Sequence, residues 1–417
     1  MRANANEIHH RKLMMTSECY VFIDGLEEKP VICGYFKLDN QSGRGEFNYG
    51  KSYLARSDAF ALDPVHLPLK SGIFSYSANR GLFGVLSDAG ADSWGRKLIL
   101  SLHTTKPKNE LEFLLAGSGY GVGALVFSLS RSASKHKTNK NTLSDLALLD
   151  QAKDDLLANK TISDEAKKAF EFGQSMGGAR PKTSIQIDNK LYLAKFNRQD
   201  DLFNLVRAEH AAMKMADQLG IRTAPTLIHK THTGDVLLVE RFDVSNGLPT
   251  HHFLSANSLL QKPKVAMSDL SSDYSYGQLA EFIRHQTMQN AGDAEELFKR
   301  MVFNAYIGNT DDHTRNHAFL YSFSQKNWRL SPAYDITPIN NSKQHGLGFG
   351  DDGRYASKSN FLSQAKRFGL ANSAAKNIIK EIEEYCKDWP THFKHFADVS
   401  DEDITRLKGV IPEINEE

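Results

Sequence analysis

The residues best suited to chemistry lie in one short stretch, Asn309 to His317, which reads NTDDHTRNH. An apolar helical stripe ending at Gly308 precedes it and the apolar run AFL follows it, so the stretch is predicted to be a loop held between rigid elements. Two carboxylates, two histidines and Asn316 are costly to crowd together without a cation or a substrate. A solvated polar loop is the simpler interpretation of this stretch taken alone.

A second acidic position, Asp335, lies in SPAYDITP between apolar neighbours. Together the two segments indicate a Mg²⁺ site, because hard cations prefer carboxylate and amide oxygens. Protein kinases place a catalytic Asp, an Asn five positions later and a metal-binding Asp in a later loop. Asp311 and Asn316 have the same five-residue spacing, and Asp335 follows them, although literal HRD and DFG motifs are not present.

The other half of a nucleotide site is predicted upstream. Residues 173–183 read GQSMGGARPKT, whose small residues let backbone N–H groups approach phosphate oxygens. Pro181 excludes a Walker A motif. Lys195 lies in the strand-like run LYLAKF, and Glu209 on the next predicted helix could pair with it. VERFD at 239–243 ends a buried strand, at the position where the hinge of a kinase would contact adenine. Each feature alone is equally typical of a turn or a surface position, but their order favours a nucleotide site.

Four segments are predicted to position these residues. They are a β-rich module at 13–130, a linker and helix at 131–168, a nucleotide-binding lobe at 169–243 and a mainly helical lobe at 244–417. The whole is predicted to be an α+β fold. Within it, the alternation of residue types predicts strands around turns at Asp24–Gly25 and Asp188–Asn189.

Helices are predicted at 202–219, ending at Gly220, and at 373–387. Asp293 with Glu296 is typical of a capping box and predicts that a helix starts there. His251–His252 and His229/His232 are interpreted as surface-loop residues rather than metal ligands, since no cysteine lies nearby. Trp94, Trp328 and Trp389 are expected in the core or at interfaces.

With these motifs in view, the chain resembles the HipA family of serine/threonine kinases, the toxin components of bacterial toxin–antitoxin pairs. The resemblance rests on SMGGARPK at 175–182, LAKF at 193–196, VERFD at 239–243, NTDDHTRNHAF at 309–319 and SPAYDITP at 331–338, with DSWGRKLIL at 92–100 similar to a segment of the N-terminal module. It implies a two-lobed kinase-like fold with an added β-rich N-terminal subdomain.

The resemblance also implies a role for each matching residue. Asp311 would receive the proton of the substrate hydroxyl, and Asn316 and Asp335 would hold Mg²⁺. The residues implied to contact ATP are Ser175, Gly177, Gly178, Ala179, Lys182, Lys195, Glu240, Phe242 and His313. Ser175 would also be the autophosphorylation site, where about two added negative charges would expel the loop from the ATP phosphates.

The resemblance further implies partners: a protein substrate, with aminoacyl-tRNA synthetases among the family's targets, and a small HipB-like DNA-binding antitoxin that would connect the chain to DNA. Two rival functions remain open. One is a catalytically weak co-repressor that partners the antitoxin, and intact Asp311, Asn316, Asp335 and Lys195 argue against it. The other is a metal-dependent phosphohydrolase, which would leave the glycine-rich segment and Lys195 unexplained.

Composition excludes several other classes. The 417 residues carry a net charge of +1 with 24% charged and 40% hydrophobic residues, which disfavours an acidic disordered chain and a dedicated, strongly basic nucleic-acid binder. Cys19, Cys33 and Cys386 are too few and scattered for a disulfide framework, which predicts a reducing cytoplasm. No apolar run approaches the roughly 18–20 residues of a membrane span, and no signal peptide is expected.

Overall fold

The computed structural model describes residues 15–119, 121–134, 141–170, 180–261, 274–287 and 289–414. Its N-terminal part is built on an antiparallel sheet with strand order β4-β3-β2-β1-β5. The strands are β1 (Glu18–Ile23), β2 (Val31–Asp39), β3 (Arg44–Tyr49), β4 (Phe74–Tyr76) and β5 (Leu125–Ser128). In β2, Phe36 and Leu38 are buried while Lys37 and Asp39 are exposed, the alternation of a sheet with one face on the core.

Short helices complete this N-terminal domain. They are α1 (Lys51–Leu54), α2 (Gly84–Asp88), α3 (Ser93–Leu102) and α4 (Glu110–Ala116). The predicted strands around Asp24–Gly25 are therefore confirmed as β1 and β2. Trp94 on α3 is buried, as predicted, and packs on the next part of the chain.

A small lobe follows, with an antiparallel sheet of strand order β6-β7-β9-β8. It comprises α5 (Leu146–Leu157), α6 (Asp164–Phe170), β6 (Lys182–Ile187), β7 (Lys190–Phe196), α7 (Leu205–Gln218), β8 (Thr226–Lys230) and β9 (Asp235–Glu240). The predicted hairpin turn is confirmed, with Asp188 in the left-handed region at φ 52°. Gly220 follows α7 at φ 74°, as expected of a residue just past a helix end.

The remaining described residues form a mainly helical lobe. Its strands are β10 (Val244–Ser245), β11 (Leu248–Pro249), β12 (His251–Ser255), β13 (Ala318–Ser322) and β14 (Asn327–Leu330). Its helices are α8 (Ala256–Leu260), α9 (Tyr276–Gln286), α10 (Asn290–Tyr306), α11 (Lys358–Ser363), α12 (Asn372–Cys386), α13 (Trp389–Ala397) and α14 (Asp401–Leu407). The prediction of an α+β fold is confirmed, and the described part of the chain has no helix both long and apolar enough to cross a membrane.

Two local predictions are wrong. Helix α10 begins at Asn290, and Asp293 lies inside it, because its carboxylate accepts hydrogen bonds from Arg222 at 2.8 Å and from the backbone N–H of Leu330 at 3.0 Å instead of capping the helix. His229 lies in β8 and not in a surface loop, and the same prediction is wrong for His251 and His252. They belong to β12, and the buried His252 bonds through Nε2 to the carbonyl of Leu62 at 2.8 Å, so tertiary contacts override the polar local sequence.

Candidate functional site

The predicted loop 309–317 connects α10 to β13. Gly308, at φ 72°, turns the chain out of the helix, and a short 3₁₀ turn at Thr314–Asn316 leads into the strand. Asp311 is exposed, whereas Asn316 is buried and donates from Nδ2 to the backbone carbonyl of Asp311 at 3.3 Å. The five-residue spacing therefore brings the amide of Asn316 against the backbone that presents the Asp311 carboxylate.

The neighbouring carboxylate, Asp312, has a different environment. It is 2% exposed and accepts hydrogen bonds from the hydroxyl of Tyr276 and from Nε2 of His317, the latter at 2.9 Å. Asn304 on α10 donates to the same Tyr276 hydroxyl at 3.1 Å. Asp312 thus anchors the loop to buried residues, while Asp311 is exposed to solvent. The sequence does not reveal these different roles, because the two residues are chemically identical. The apolar run after His317 is the only local sign of burial.

Lys195, Glu209 and Asp335 meet in one cluster. The ammonium of Lys195 on β7 lies 2.5 Å from Oε1 of Glu209 on α7 and 2.7 Å from Oδ1 of Asp335. The side chains of Lys195 and Glu209 are 13% and 8% exposed, while that of Asp335 is 44% exposed. The strand lysine and the helix glutamate expected to pair are therefore in contact, and the carboxylate of the later loop joins them.

Opposite charges within this cluster stabilise the ionised forms of Lys195 and Asp335. Burial opposes the charge on Lys195, but Asp335 and Glu209 outweigh burial and hold the pKa of Lys195 above its ordinary value. Burial also opposes ionisation of Asp335, yet Lys195 and Lys182 hold the pKa of its carboxyl well below the usual range. His313 adds to this effect on Asp335. The cluster consequently presents charged groups of both signs at neutral pH.

Lys182 lies beside Lys195, because the two residues are register partners on β6 and β7. Its side chain is buried, and burial lowers the pKa of its ammonium while Asp335 opposes that shift. Its backbone carbonyl accepts a hydrogen bond from Nε1 of Trp94 at 2.8 Å. The other predicted members of the glycine-rich segment, Ser175, Gly177, Gly178 and Ala179, lie outside the described residues.

The predicted hinge follows β9. Glu240 ends that strand and its carboxylate pairs with Lys190 at 2.9 Å. The half-buried ring of Phe242 lies 5.7 Å from the ring of Tyr334, centroid to centroid. Tyr334 in turn donates from its hydroxyl to the carbonyl of Arg315 at 2.8 Å. Tyr334, which the sequence did not single out, therefore links the hinge, the Asp311 loop and the adjacent Asp335.

The donor set fits Mg²⁺ better than a closed metal cage. Across the described ranges, no three His, Cys, Asp or Glu side chains gather into a group that could hold a metal ion. Mg²⁺ is commonly held by one or two carboxylates, with water and substrate phosphates completing its octahedron. Asp335 offers a half-exposed carboxylate, and Asn316, whose Nδ2 is bound to the Asp311 carbonyl, has its amide oxygen left as a ligand atom.

Comparison with known proteins agrees with this arrangement. The HipA N-terminal domain model matches residues 29–128 and the HipA-like C-terminal domain model matches residues 174–389. A Haemophilus influenzae protein named "Putative kinase" is 25% identical over 184 residues, which are 40% of this chain and 53% of that protein. The chain thus aligns with about half the length of this curated relative.

Solved structures also resemble the chain. HipA in the Shewanella oneidensis MR-1 complex of HipA, HipB and operator DNA matches with a TM-score of 0.67 at 16% identity, covering 93% of this chain and 96% of that one. The Helicobacter pylori proinflammatory kinase CtkA matches with a TM-score of 0.41 at 17% identity, over 56% of this chain and 87% of that one. At 16% identity the first likeness establishes a shared fold.

Proposed function

Because the chain belongs to the HipA family and has its kinase-like fold, we propose that it is an ATP- and Mg²⁺-dependent serine/threonine protein kinase. The observation that carries the proposal is the contact of Lys195 with both Glu209 and Asp335. Kinases need a lysine–glutamate pair and a metal-binding aspartate in place together. A merely structural ion pair would not require a half-exposed third carboxylate such as that of Asp335.

In the proposed reaction, the oxygen of a substrate serine or threonine attacks the γ-phosphorus of ATP. The new O–P bond forms as the bond to the ADP oxygen breaks, and Asp311 accepts the hydroxyl proton. Lys195 and Lys182 would hold the phosphate oxygens, and Asn316 and Asp335 would hold Mg²⁺. When bound, Mg²⁺ neutralises negative charge on the β- and γ-phosphates. Glu209, which contacts Lys195 independently of Asp335, would keep the lysine directed at the site when Asp335 serves as a metal ligand.

The nucleotide base is proposed to lie at the hinge, with Glu240 and Phe242 framing adenine and His313 lining the site. The half-buried Phe242 ring beside Tyr334 supports this placement, since a flat aromatic edge is a suitable neighbour for a purine. We further propose that Ser175 is autophosphorylated and that this modification switches the enzyme off. Binding of ATP by a Ser175→Asp variant as tight as that of the parent would contradict this switch.

The proposed physiological role is growth arrest by phosphorylation of a host protein in the cytoplasm, with an aminoacyl-tRNA synthetase as the candidate substrate. The proposed partner is a HipB-like antitoxin through which the chain would reach DNA. The Shewanella oneidensis neighbour, which is solved with HipB and operator DNA, supports this partner. Co-purification of the chain with a small DNA-binding protein of the HipB type, and a DNA mobility shift that requires both, would test it.

The kinase proposal is tested with purified Asp311→Asn and Asp335→Asn variants and ATP labelled at the γ-phosphate. Both variants are expected to retain the parent's melting temperature within a few degrees and to lose transfer to protein, since the substitutions conserve shape and remove one carboxylate charge. Transfer at the parent's rate by either variant would contradict the assignment. Release of free phosphate without phosphoprotein would point to the phosphohydrolase, and nucleotide-independent partner binding alone would point to the co-repressor.

A further inference from the structure

One segment of the N-terminal domain, residues 88–94 between α2 and α3, contacts both lobes of the kinase-like fold. At its start, Asp88 accepts hydrogen bonds from the helical lobe: from the N–H of Ser255 at 2.8 Å, the hydroxyl of Ser255 at 2.7 Å and the hydroxyl of Ser258 at 2.8 Å. At its end, Trp94 donates to the carbonyl of Lys182 in the small lobe at 2.8 Å. The segment therefore spans the two lobes.

Both ends of this segment are rigidly docked. At Gly84, on α2, an added Cβ would lie 2.6 Å from the Cβ of Ser258, so the α2 backbone lies against α8 without room for a side chain. Trp94 is 1% exposed and packs in a cluster with Phe196 and with Phe170, whose ring lies 6.0 Å away edge to face. Neither anchor can shift without breaking packed contacts.

Asp92, in the middle of the segment, is a half-buried carboxylate. Burial raises the pKa of Asp92 to about 6, and the positive charges that oppose this shift are, in order of effect, Lys182, Arg315 and Arg96. Lys182 belongs to the small lobe and Arg315 to the loop that bears Asp311, so the carboxylate interacts with one cation of each lobe. Asp92 precedes α3 as its N-cap residue, yet its side chain makes no capping hydrogen bond.

We propose that residues 88–94 form an interlobe bridge that restrains the separation of the two lobes alongside direct contacts such as Arg222 with Asp293, and that Trp94, assisted by Asp92, is a positioning residue for Lys182 in the nucleotide site. This inference rests on the proposed nucleotide-binding function. Trp94 holds the Lys182 backbone and Asp92 attracts its ammonium, so together they set where that ammonium meets a phosphate. The N-terminal domain would then be an integral part of the phosphoryl-transfer site.

The test uses the full chain with Trp94→Phe and Asp92→Asn. Phenylalanine retains most of the packed ring and loses only the N–H donor, and asparagine retains the shape of Asp92 and loses its charge. Matched controls are Trp389→Phe, a buried tryptophan of α13, and Asp63→Asn, a buried aspartate elsewhere in the N-terminal domain. Unfolding midpoints are measured first, so that the binding data are compared at a temperature where every variant is folded.

Two readouts are then recorded. Pulsed electron–electron resonance between spin labels at Asn189→Cys in the small lobe and Lys380→Cys in the helical lobe reports the distribution of interlobe distances. Both sites are exposed, while the native cysteines are buried. Equilibrium binding of Mg·ATP reports the nucleotide site. Each bridge variant is expected to broaden the distance distribution and to weaken Mg·ATP binding about fivefold, the effect of one ordinary hydrogen bond, and the controls are expected to match the parent.

Parent-like distances in both bridge variants would overturn the bridge. Broadened distances with unchanged Mg·ATP affinity would overturn the positioning role. A parent that shows a narrow distribution, broadened by both substitutions, but transfers no phosphate to protein would contradict the proposed kinase function while supporting the bridge, because the distance measurement does not depend on catalysis.

Discussion

Replacing Glu209 with glutamine removes one charge from the buried cluster and leaves its shape nearly unchanged. In the parent, Lys195 contacts two carboxylates, at 2.5 Å to Glu209 and 2.7 Å to Asp335. Breaking a buried ion pair costs about 3–5 kcal/mol when one charge is left unpaired. Asp335 remains to neutralise Lys195, and the glutamine oxygen still accepts a hydrogen bond, so we expect the free energy of unfolding to fall by about 2 kcal/mol.

The effect on catalysis should be larger than the effect on stability. Without the carboxylate of Glu209, Lys195 pairs with Asp335 alone. The lysine is then less available to the phosphates, and Asp335 is less available as the proposed metal ligand. We expect kcat/KM to fall about 100-fold, which corresponds to about 2.7 kcal/mol of lost transition-state stabilisation. Urea unfolding gives the first quantity, and transfer of labelled phosphate to protein gives the second.

The matched control is Glu295→Gln on α10, whose side chain is 50% exposed and lies 3.8 Å from Lys299. An exposed pair of this kind contributes little, so the control should behave as the parent in both assays. A Glu209→Gln protein that is folded and transfers phosphate at the parent's rate would refute the role given to the Lys195–Glu209 pair.

Three further changes have defined outcomes. Asp312→Asn should lower kcat at least tenfold and change KM for ATP less than twofold, because the buried carboxylate supports the loop and does not contact the nucleotide. A rise in KM as large as the fall in kcat would contradict this. Arg300→Met should reduce the free energy of unfolding by about 3 kcal/mol in urea titrations, since Arg300 is buried and donates to Ser331 at 2.5 Å. Burial lowers the pKa of His252 to about 4. Between about pH 4 and 6.5 the unfolded chain therefore binds a proton at this histidine more readily than the folded chain does. As pH falls through this range, the stability that neutral His252 contributes is lost. Between pH 7 and pH 4, the free energy of unfolding of the parent should therefore fall by about 3 kcal/mol relative to that of His252→Gln. His232→Gln, at an exposed position, is the control.

The parts of the site that the sequence predicted are those with strong local signals. The β6–β7 hairpin could be predicted because strand-forming residues flank an Asp–Asn turn, and this placed Lys195 in a strand interior. The contact of Lys195 with Glu209 followed from the order of strand and helix, as in kinases. Both depend on periodicity and chain order, which a single sequence displays.

The remaining features depend on contacts between distant segments. Asp312 and Asp311 are adjacent and identical, and only the position of Tyr276 on α9 makes one of them buried. Asp293 has the spacing of a cap but binds Arg222, far away in sequence. The Trp94 hydrogen bond to Lys182 likewise joins two domains, so the sequence could indicate that Trp94 is buried but not what its N–H binds.

The central claim is that Asp311 directs phosphoryl transfer, and intact mass measurement tests it most directly. The dephosphorylated parent and Asp311→Asn are incubated with Mg·ATP, with a third sample in excess chelator. We expect the parent to gain one phosphate, mapped to Ser175, and neither the variant nor the chelated sample to do so. Equal phosphate on the parent and on Asp311→Asn, or none on a folded parent that also fails to modify any added protein, would contradict it.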